Sequence, residues 1–508
     1  MPRKESLSII IKIKITHFNY RIQYQKSNNM LIDVIQKDTY VEVSYTTHEG
    51  NIDIGKVPLP PEGYSNWKLC EDDDPDRDPV FHNYDGKCVK RVKGKQFYDL
   101  NLHEFLVKRI DPEWQRKIFG FNKPNFFSVD IETRITSDCM PKAEDAPTDI
   151  LSISITAVNM ATIILSTREC NMERANKIVQ DYLAEYGKEH NLTFPTKHIV
   201  FDSEKEMLIF FLNMVRTRFH LHGGWNYTGY DWTYIKNRCI KNGINIEISS
   251  PAGMVEDGVP VHRIVIDYME AYKAGSRGNS SLLSYRLDAV AEYELGLHKL
   301  SYDKTLKELY EQDYDRFIAY AIIDTILVQL IHKKTNKIDV LFNMCYYTKV
   351  PFKRSDGNIA QTDALQFEEF YNDNLVYADE HKNGVKEKYE GAYVKEPVFH
   401  EADFPACYDA KSLYPSTMMT YDISPELYIG KCKPNEVKKL REKGFFVSDK
   451  LSVYRRTETG GAFKKLETKL FGERGKFKSK MLYAWDKLTV LIEDEAKRRG
   501  LKLDDGHG

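Results

Sequence analysis

The 508-residue sequence has no C-x-x-C pair, although it holds eight cysteines. Cys70, Cys88, Cys139, Cys170, Cys239, Cys345, Cys407 and Cys432 are scattered, which argues against a zinc ribbon, an iron–sulfur site or a thioredoxin-like centre. They read as reduced thiols in a reducing compartment. No apolar run approaches the ~18 residues of a membrane span, so no membrane partner is expected. Repeats and low-complexity tracts are absent. Neither sign of charge dominates: 73 Lys+Arg stand against 75 Asp+Glu, a formal net charge of −2, which says nothing about partners. The N-terminal MPRKESLSIIIKIKITHFNYRIQ lacks a continuous apolar core; its apolar residues alternate with lysines as in a strand, unlike a signal peptide. The alternative reading takes it as an upstream extension, with Met30 as the true start. What is present, 42% hydrophobic and 29% charged residues, excludes wholesale disorder and collagen-like repeats. The length suggests about three domains, large enough to bury cores without disulfides. A soluble, cytoplasmic protein is expected.

Strand-like MLIDVIQ and TYVEVSYT precede a HEGNIDIG turn, a Pro-rich break and the acidic loop 71–79. That loop has no EF-hand spacing and is interrupted by prolines, so it reads as solvated surface. From about 125 to 345, strands and helices interleave as in one α/β domain. FNKPNFFSVDIET is an apolar strand ending in Asp130 and Glu132. A period of two puts both on one face, where paired negative charges need a cation or a proton between them. GGWNYTGYDWTY turns into a helix that carries Asp231 in its first turn. There the acid either faces a site or simply favours the helix dipole. RFIAYAIIDTILVQL places Tyr320 and Asp324 one turn apart, and an unpaired carboxylate in so apolar a helix would be costly. Asp267, in IVIDYME, is read as structural. SSPAGMVEDGVPVH is a hairpin with Glu256-Asp257-Gly258 at its turn.

D-x-E, then N-x(3)-Y-D, then Y-x(3)-D, in this order within about 200 residues, resembles the DEDD 3′–5′ exonucleases with a tyrosine in the third motif. The resemblance implies two Mg²⁺ or Mn²⁺ ions in a two-metal phosphodiester hydrolysis. Asp130, Glu132 and Asp324 would hold the first ion, and Asp130 and Asp231 the second. Tyr320 would orient the water, and Lys299 would contact the scissile phosphate. About 85 residues later, Tyr408-Asp409-Ala410-Lys411-Ser412-Leu413-Tyr414-Pro415-Ser416 places an acid at a strand's end before a turn. The pairing is similar to family B DNA polymerases of the T-even phage type, whose motif A this segment matches; YELGLHKLSYD, YYTKV and EGAYVKEP add to the likeness.

By that resemblance Asp409 is one of two palm carboxylates holding Mg²⁺ when the site is complete. Ser412 and Leu413 would lie along the incoming triphosphate, and Tyr414 under its deoxyribose. Asn226, Lys299, Tyr389 and Gly391 would contact DNA. FGERGKFKSKMLYAWDKLTVLIEDEAKRR would open the fingers, with Phe477, Met481, Ala484 and Leu488 as its apolar stripe. Arg474 and Lys478 on another face would meet triphosphate oxygens. Residues 431–500 carry 20 Lys+Arg against 10 Asp+Glu, which fits a polyanionic partner.

The expected fold is an α/β multidomain chain. A β-rich N-terminal domain takes residues 1–124, with 346–385 as a candidate to return to it, and an RNase H-like exonuclease domain takes 125–345. A partial palm takes 386–468, and partial helical fingers take 469–508. The K-x(3)-N-S-x-Y-G and D-T-D motifs of the family do not occur in the sequence, so the chain is expected to be one half of a polymerase split within the fingers, with a second chain completing palm and thumb, or else a truncated product. The expected partners are primer-template and single-stranded DNA, dNTP and that C-terminal polymerase chain, with a sliding clamp and RNA as further candidates. The compartment would be the host cytoplasm if the chain is phage-encoded. The alternatives are a stand-alone exonuclease, or a nucleic-acid-binding regulator without catalysis. The hairpin would help separate primer end from template.

Overall fold

The computed structural model describes residues 29–120, 122–136, 140–186, 196–275, 282–301, 305–354, 358–377, 395–397, 404, 406, 408–410 and 412–500. Contacts divide the chain into two compact units, one built from residues 26–61 and 103–361, the other holding 62–102 together with 362 onward. The division therefore cuts through the 1–124 segment instead of following its end.

In the first unit a six-stranded mixed sheet runs in the order 196–200, 162–166, 150–157, 126–133, 221–224, 264–267. The strand Phe126–Thr133 is antiparallel to Ile150–Ala157 and parallel to Leu221–Gly224. One face is covered by the helix Glu204–Thr217, which buries Met207, Leu208, Phe211, Leu212 and Val215 at helical spacing. Ser203 caps it by accepting from the Glu206 amide at 3.3 Å. The other face takes the helix Tyr314–Thr335, which is apolar almost all round and buried along most of its length. A greasy helix can slide, and three polar contacts fix this one in register. Ser128 Oγ donates to the Thr325 carbonyl at 2.8 Å, Thr156 Oγ1 meets Thr325 Oγ1 at 2.8 Å, and Gln329 Nε2 donates to the Thr156 carbonyl at 2.8 Å. These buried contacts pair the donors of Ser128, Thr325 and Gln329, and they set Asp324 opposite Asp130 and Glu132.

The antiparallel strands Leu31–Gln36, Tyr40–Thr46 and Ile52–Pro58 form a second sheet. The third of these occupies a stretch expected as a turn: Gly55 lets the strand pass under Trp114, whose ring a Cβ there would meet at 2.4 Å. This sheet is tied to the larger one. The Ile52 amide donates to His220 Nδ1 at 2.8 Å, and His262 Nε2 lies 2.8 Å from Glu42. The hairpin pairs Val255–Glu256 with Val259–Pro260, and Asp257 and Gly258 both have positive φ, as a tight two-residue turn requires.

The second unit pairs Ser65–Leu69 with Val89–Lys93, and His82–Asn83 with Leu375–Val376. Strands Tyr428–Lys431, Ser452–Tyr454 and Phe446–Val447 make a small sheet. The helix Ala462–Arg499 begins ahead of the residue-469 boundary read from the sequence, because Asp422 accepts from the Gly461 amide at 2.8 Å and Glu426 from the Ala462 amide at 2.7 Å. Those carboxylates satisfy the first orphan donors of the helix and favour its positive end. Beyond that anchor, Phe477 and Met481 are exposed. Residues 408–410 have no regular structure and are exposed; most of the strand expected to end at Asp409 lies outside the described residues.

Candidate active site

Alternation along Phe126–Thr133 turns Asp130 and Glu132 to the face that the helix Tyr314–Thr335 covers. One carboxylate oxygen from each of Asp130, Glu132 and Asp324 lies within 4.8 Å of the other two. Among the described residues this is the group of acids with metal-ligand spacing. Asp231 enters from the neighbouring strand-to-helix connection. Its Oδ1 accepts from the Ile131 amide at 3.0 Å, so the acid is held against the strand between Asp130 and Glu132. The approach is close because of two glycines: a Cβ at Gly223 would stand 2.0 Å from the Ile266 carbonyl, and one at Gly224 would stand 2.2 Å from that of Val129.

Asp267 fastens the same connection. Its Oδ2 accepts from the Thr228 amide and hydroxyl at 3.2 and 3.1 Å, while Oδ1 accepts from the Met269 and Glu270 amides. Sequence reasoning took Asp267 as structural but had no signal for its grip on the loop that carries Asp231. Asn226 sits on that loop with φ of 60° and is exposed.

Burial dominates the electrostatics. It pushes Asp130 up to about 7, helped by the charge of Asp324 and opposed by Lys299. Glu132 is raised by burial, then by Asp130 and Asp324; Asp231 is raised by burial and Asp130, against the pull of the Ile131 amide. Asp324 is raised by burial too, with Lys299 opposing. Lys299 Nζ lies 2.5 Å from Asp324 Oδ2 and 3.2 Å from Tyr320 Oη. Burial works against that ammonium, yet Asp324, Tyr320 and Asp130 hold its pKa above the ordinary lysine value. Asp324 Oδ1 is buried and accepts no hydrogen bond. Carboxylates crowded out of water and carrying an orphaned oxygen are a donor set for a hard divalent cation.

A cavity of about 210 Å³ adjoins the end of the same strand, lined among others by Thr133, Arg134, Lys307, Tyr310 and Phe317. Thr133 Oγ1 is buried without a hydrogen-bond partner. Nothing in the sequence signals this cavity, since its lining comes from segments some 170 residues apart.

The other candidates lie in the second unit. Asp409 is exposed, and Tyr414 is 72% exposed on the helix Leu413–Tyr421. Leu413 opens that helix and is exposed; Ser412 precedes it with φ of 51° and makes no side-chain cap. Arg474 and Lys478 stand one turn apart on the exposed part of the long helix. Tyr389 and Gly391 lie outside the described residues.

Two models of one family match the chain: DNA polymerase family B, exonuclease domain, over residues 99–290, and DNA polymerase family B over residues 353–500. The chain belongs to DNA polymerase family B. The exonuclease match takes in Asp130, Glu132 and Asp231, and the second match takes in Asp409, Arg474 and Lys478. Membership in family B, with an exonuclease domain, carries the use of a divalent metal.

Among family B relatives, the chain is 32% identical over 259 residues to the DNA-directed DNA polymerase of Enterobacteria phage T4, covering 47% of this chain and 28% of that protein. To the DNA-directed DNA polymerase of Escherichia phage RB69 it is 30% identical over 331 residues, covering 61% of this chain and 36% of the relative. The chain thus spans about a third of the length of these relatives. In fold it is similar to the family B DNA polymerase of Pyrobaculum calidifontis, with a TM-score of 0.56 at 15% identity over 89% of this chain and 64% of the other. Among the described residues no helix is long and apolar enough to cross a membrane.

Proposed function

We propose that this chain is the N-terminal part of a replicative DNA polymerase whose unit of residues 26–61 and 103–361 removes nucleotides from the 3′ ends of single-stranded DNA. The observation that carries the reading is the meeting of Asp130, Glu132 and Asp324 within 4.8 Å, with Asp231 beside them. Their buried oxygens fit two Mg²⁺ or Mn²⁺ ions, one held by Asp130, Glu132 and Asp324 and the other by Asp130 and Asp231. Such ions supply charge stabilisation for the attacking and departing oxygens of an in-line displacement.

The chain's own side chains do the rest. Tyr320, one turn before Asp324, orients the attacking water with its hydroxyl, while burial and Asp324 keep that phenol protonated. Lys299 offers an ammonium to the scissile phosphate. The cavity beside Thr133 takes the terminal nucleotide, with Tyr310 and Phe317 as apolar walls and Lys307 facing its phosphate. The dipeptide turn at Asp257-Gly258 would divide primer end from template, and Asn226 would contact the strand.

In the second unit, Asp409 is one palm acid and would hold Mg²⁺ with a further carboxylate from a partner chain. Ser412, Leu413, Tyr414, Arg474 and Lys478 receive the dNTP, and Tyr389 and Gly391 contact the template. The exposed Phe477, Met481 and Trp485 on the helix Ala462–Arg499 support a partner chain here. Changing Asp130→Ala and Glu132→Ala together should abolish degradation of a single-stranded oligonucleotide while leaving its metal-free binding in place. Degradation that persists in the double variant contradicts the nuclease reading.

A further inference from the structure

Lys299 reaches the acidic cluster on a short, fixed base. The helix Leu287–Leu295 ends at Gly296 with φ of 71°, and the Lys299 amide donates to Asp288 Oδ1 at 2.6 Å. Its backbone is therefore anchored, while four rotatable bonds let the ammonium travel several ångströms. The lysine side chain is about one-third exposed and that of Asp324 is 5% exposed, so the head sits at the mouth of the cluster with its partner beneath. It also lies over the Tyr320 ring, 5.3 Å from the centroid.

The two oxygens of Asp324 differ: Oδ2 holds the ammonium and Oδ1 is buried without a partner, while the Tyr320 hydroxyl also favours the charged carboxylate. An ammonium at 2.5 Å cancels most of the pull of that carboxylate on a second cation, and it repels the cation directly in a site where water screens little. A phosphodiester seated at the cluster would present a charged oxygen to the same ammonium, from the side on which the lysine is exposed.

We propose that Lys299 is a shared counter-ion that couples metal binding to DNA binding: it is spent on Asp324 when no strand is present and passes to the phosphate when one arrives. The proposal rests on the nuclease reading of the cluster. Asp324 regains its full charge only with substrate in place, so the chain binds divalent metal weakly alone and tightly with DNA. By reciprocity, metal tightens DNA binding by the same factor.

The test measures Mn²⁺ binding to the whole chain by electron paramagnetic resonance, with and without a thymidine oligonucleotide whose terminal linkages are phosphorothioate. In the wild type DNA should tighten Mn²⁺ about tenfold, and Lys299→Met alone should gain about the same factor, leaving DNA little to add. Lys299→Arg, which keeps a cation on Asp324, should behave as the wild type. If the phosphate merely contributed its own oxygen to the metal, Lys299→Met would keep weak binding alone and full tightening with DNA, and that result overturns the proposal. Should Lys299→Met lose its melting transition, Lys299→Gln, which can still donate to Asp324, carries the same comparison. Mn²⁺ binding untouched by Asp130→Ala with Glu132→Ala would instead remove the nuclease reading itself, and the coupling with it.

Discussion

Asp130, pushed up to about 7 by burial and then by Asp324, makes the metal-free site a pH-sensitive liability. A carboxyl whose folded pKa stands above its unfolded value near 4 favours the folded state while protonated. That advantage is whole below about pH 4 and is lost as pH rises through about 7. Glu132 and Asp231 shift in the same direction. The chelator-treated chain should therefore melt several degrees lower near pH 8 than near pH 5.5, at about 2–4 °C per kcal/mol for a domain of this size. Mg²⁺ should restore most of the loss at the higher pH, and Asp130→Asn should flatten the dependence. Equal melting temperatures for the metal-free wild type at both pH values contradict this account. Which acids to suspect was legible at this scale, because strand and helix periods dictate which residues share a face. The ion pair of Lys299 with Asp324 was not, since it depends on side-chain reach between segments 25 residues apart.

At the scale of elements, the site is aimed by a strand pair too close for side chains. Gly224→Ala would drive a methyl to within 2.2 Å of the Val129 carbonyl, and backbone cannot yield as a flexible side chain does. Strain of that kind belongs to the class that costs on the order of 2–4 kcal/mol. A urea midpoint unchanged by Gly224→Ala would refute the close approach. The helix Ala462–Arg499 poses a different case, an element whose first turn is fastened by carboxylates. Asp422→Ala removes the acceptor for the Gly461 amide and should cost about 1–2 kcal/mol, with faster amide exchange confined to the first turns. Exchange rising evenly along the helix would tell against an anchor there. Helical spacing made 204–217, 231–241 and 314–335 readable. The strand Ile52–Pro58 escaped because Gly50 and Gly55 look like turn residues until Trp114 is seen above Gly55. The strand expected before Asp409 lies mostly outside the described residues, of which Phe404 and Tyr408 face solvent.

At the scale of the molecule, the chain leaves one compact unit after residue 61, returns at 103 and leaves again at 361. Composition carries no mark of those crossings. They follow from pairings such as His82–Asn83 with Leu375–Val376, which join residues almost 300 positions apart. The consequence for function is a division of labour. Asp130, Glu132, Asp231, Lys299, Tyr320 and Asp324 all belong to one unit, and Asp409, Tyr414, Arg474 and Lys478 all belong to the other. Substitutions at residues that share no partners act independently. Asp409→Ala should therefore leave single-strand degradation within about twofold of the wild-type rate, although the same change should abolish any primer extension. The purified wild-type chain should itself extend no primer, since Asp409 joins no acidic cluster among the described residues. Extension should begin when a chain bearing the K-x(3)-N-S-x-Y-G and D-T-D motifs is added, and should fail again with Asp409→Ala. Primer extension by the purified chain alone would mean that a second palm acid comes from within it, and the assignment of Asp409 to an incomplete pair would fall.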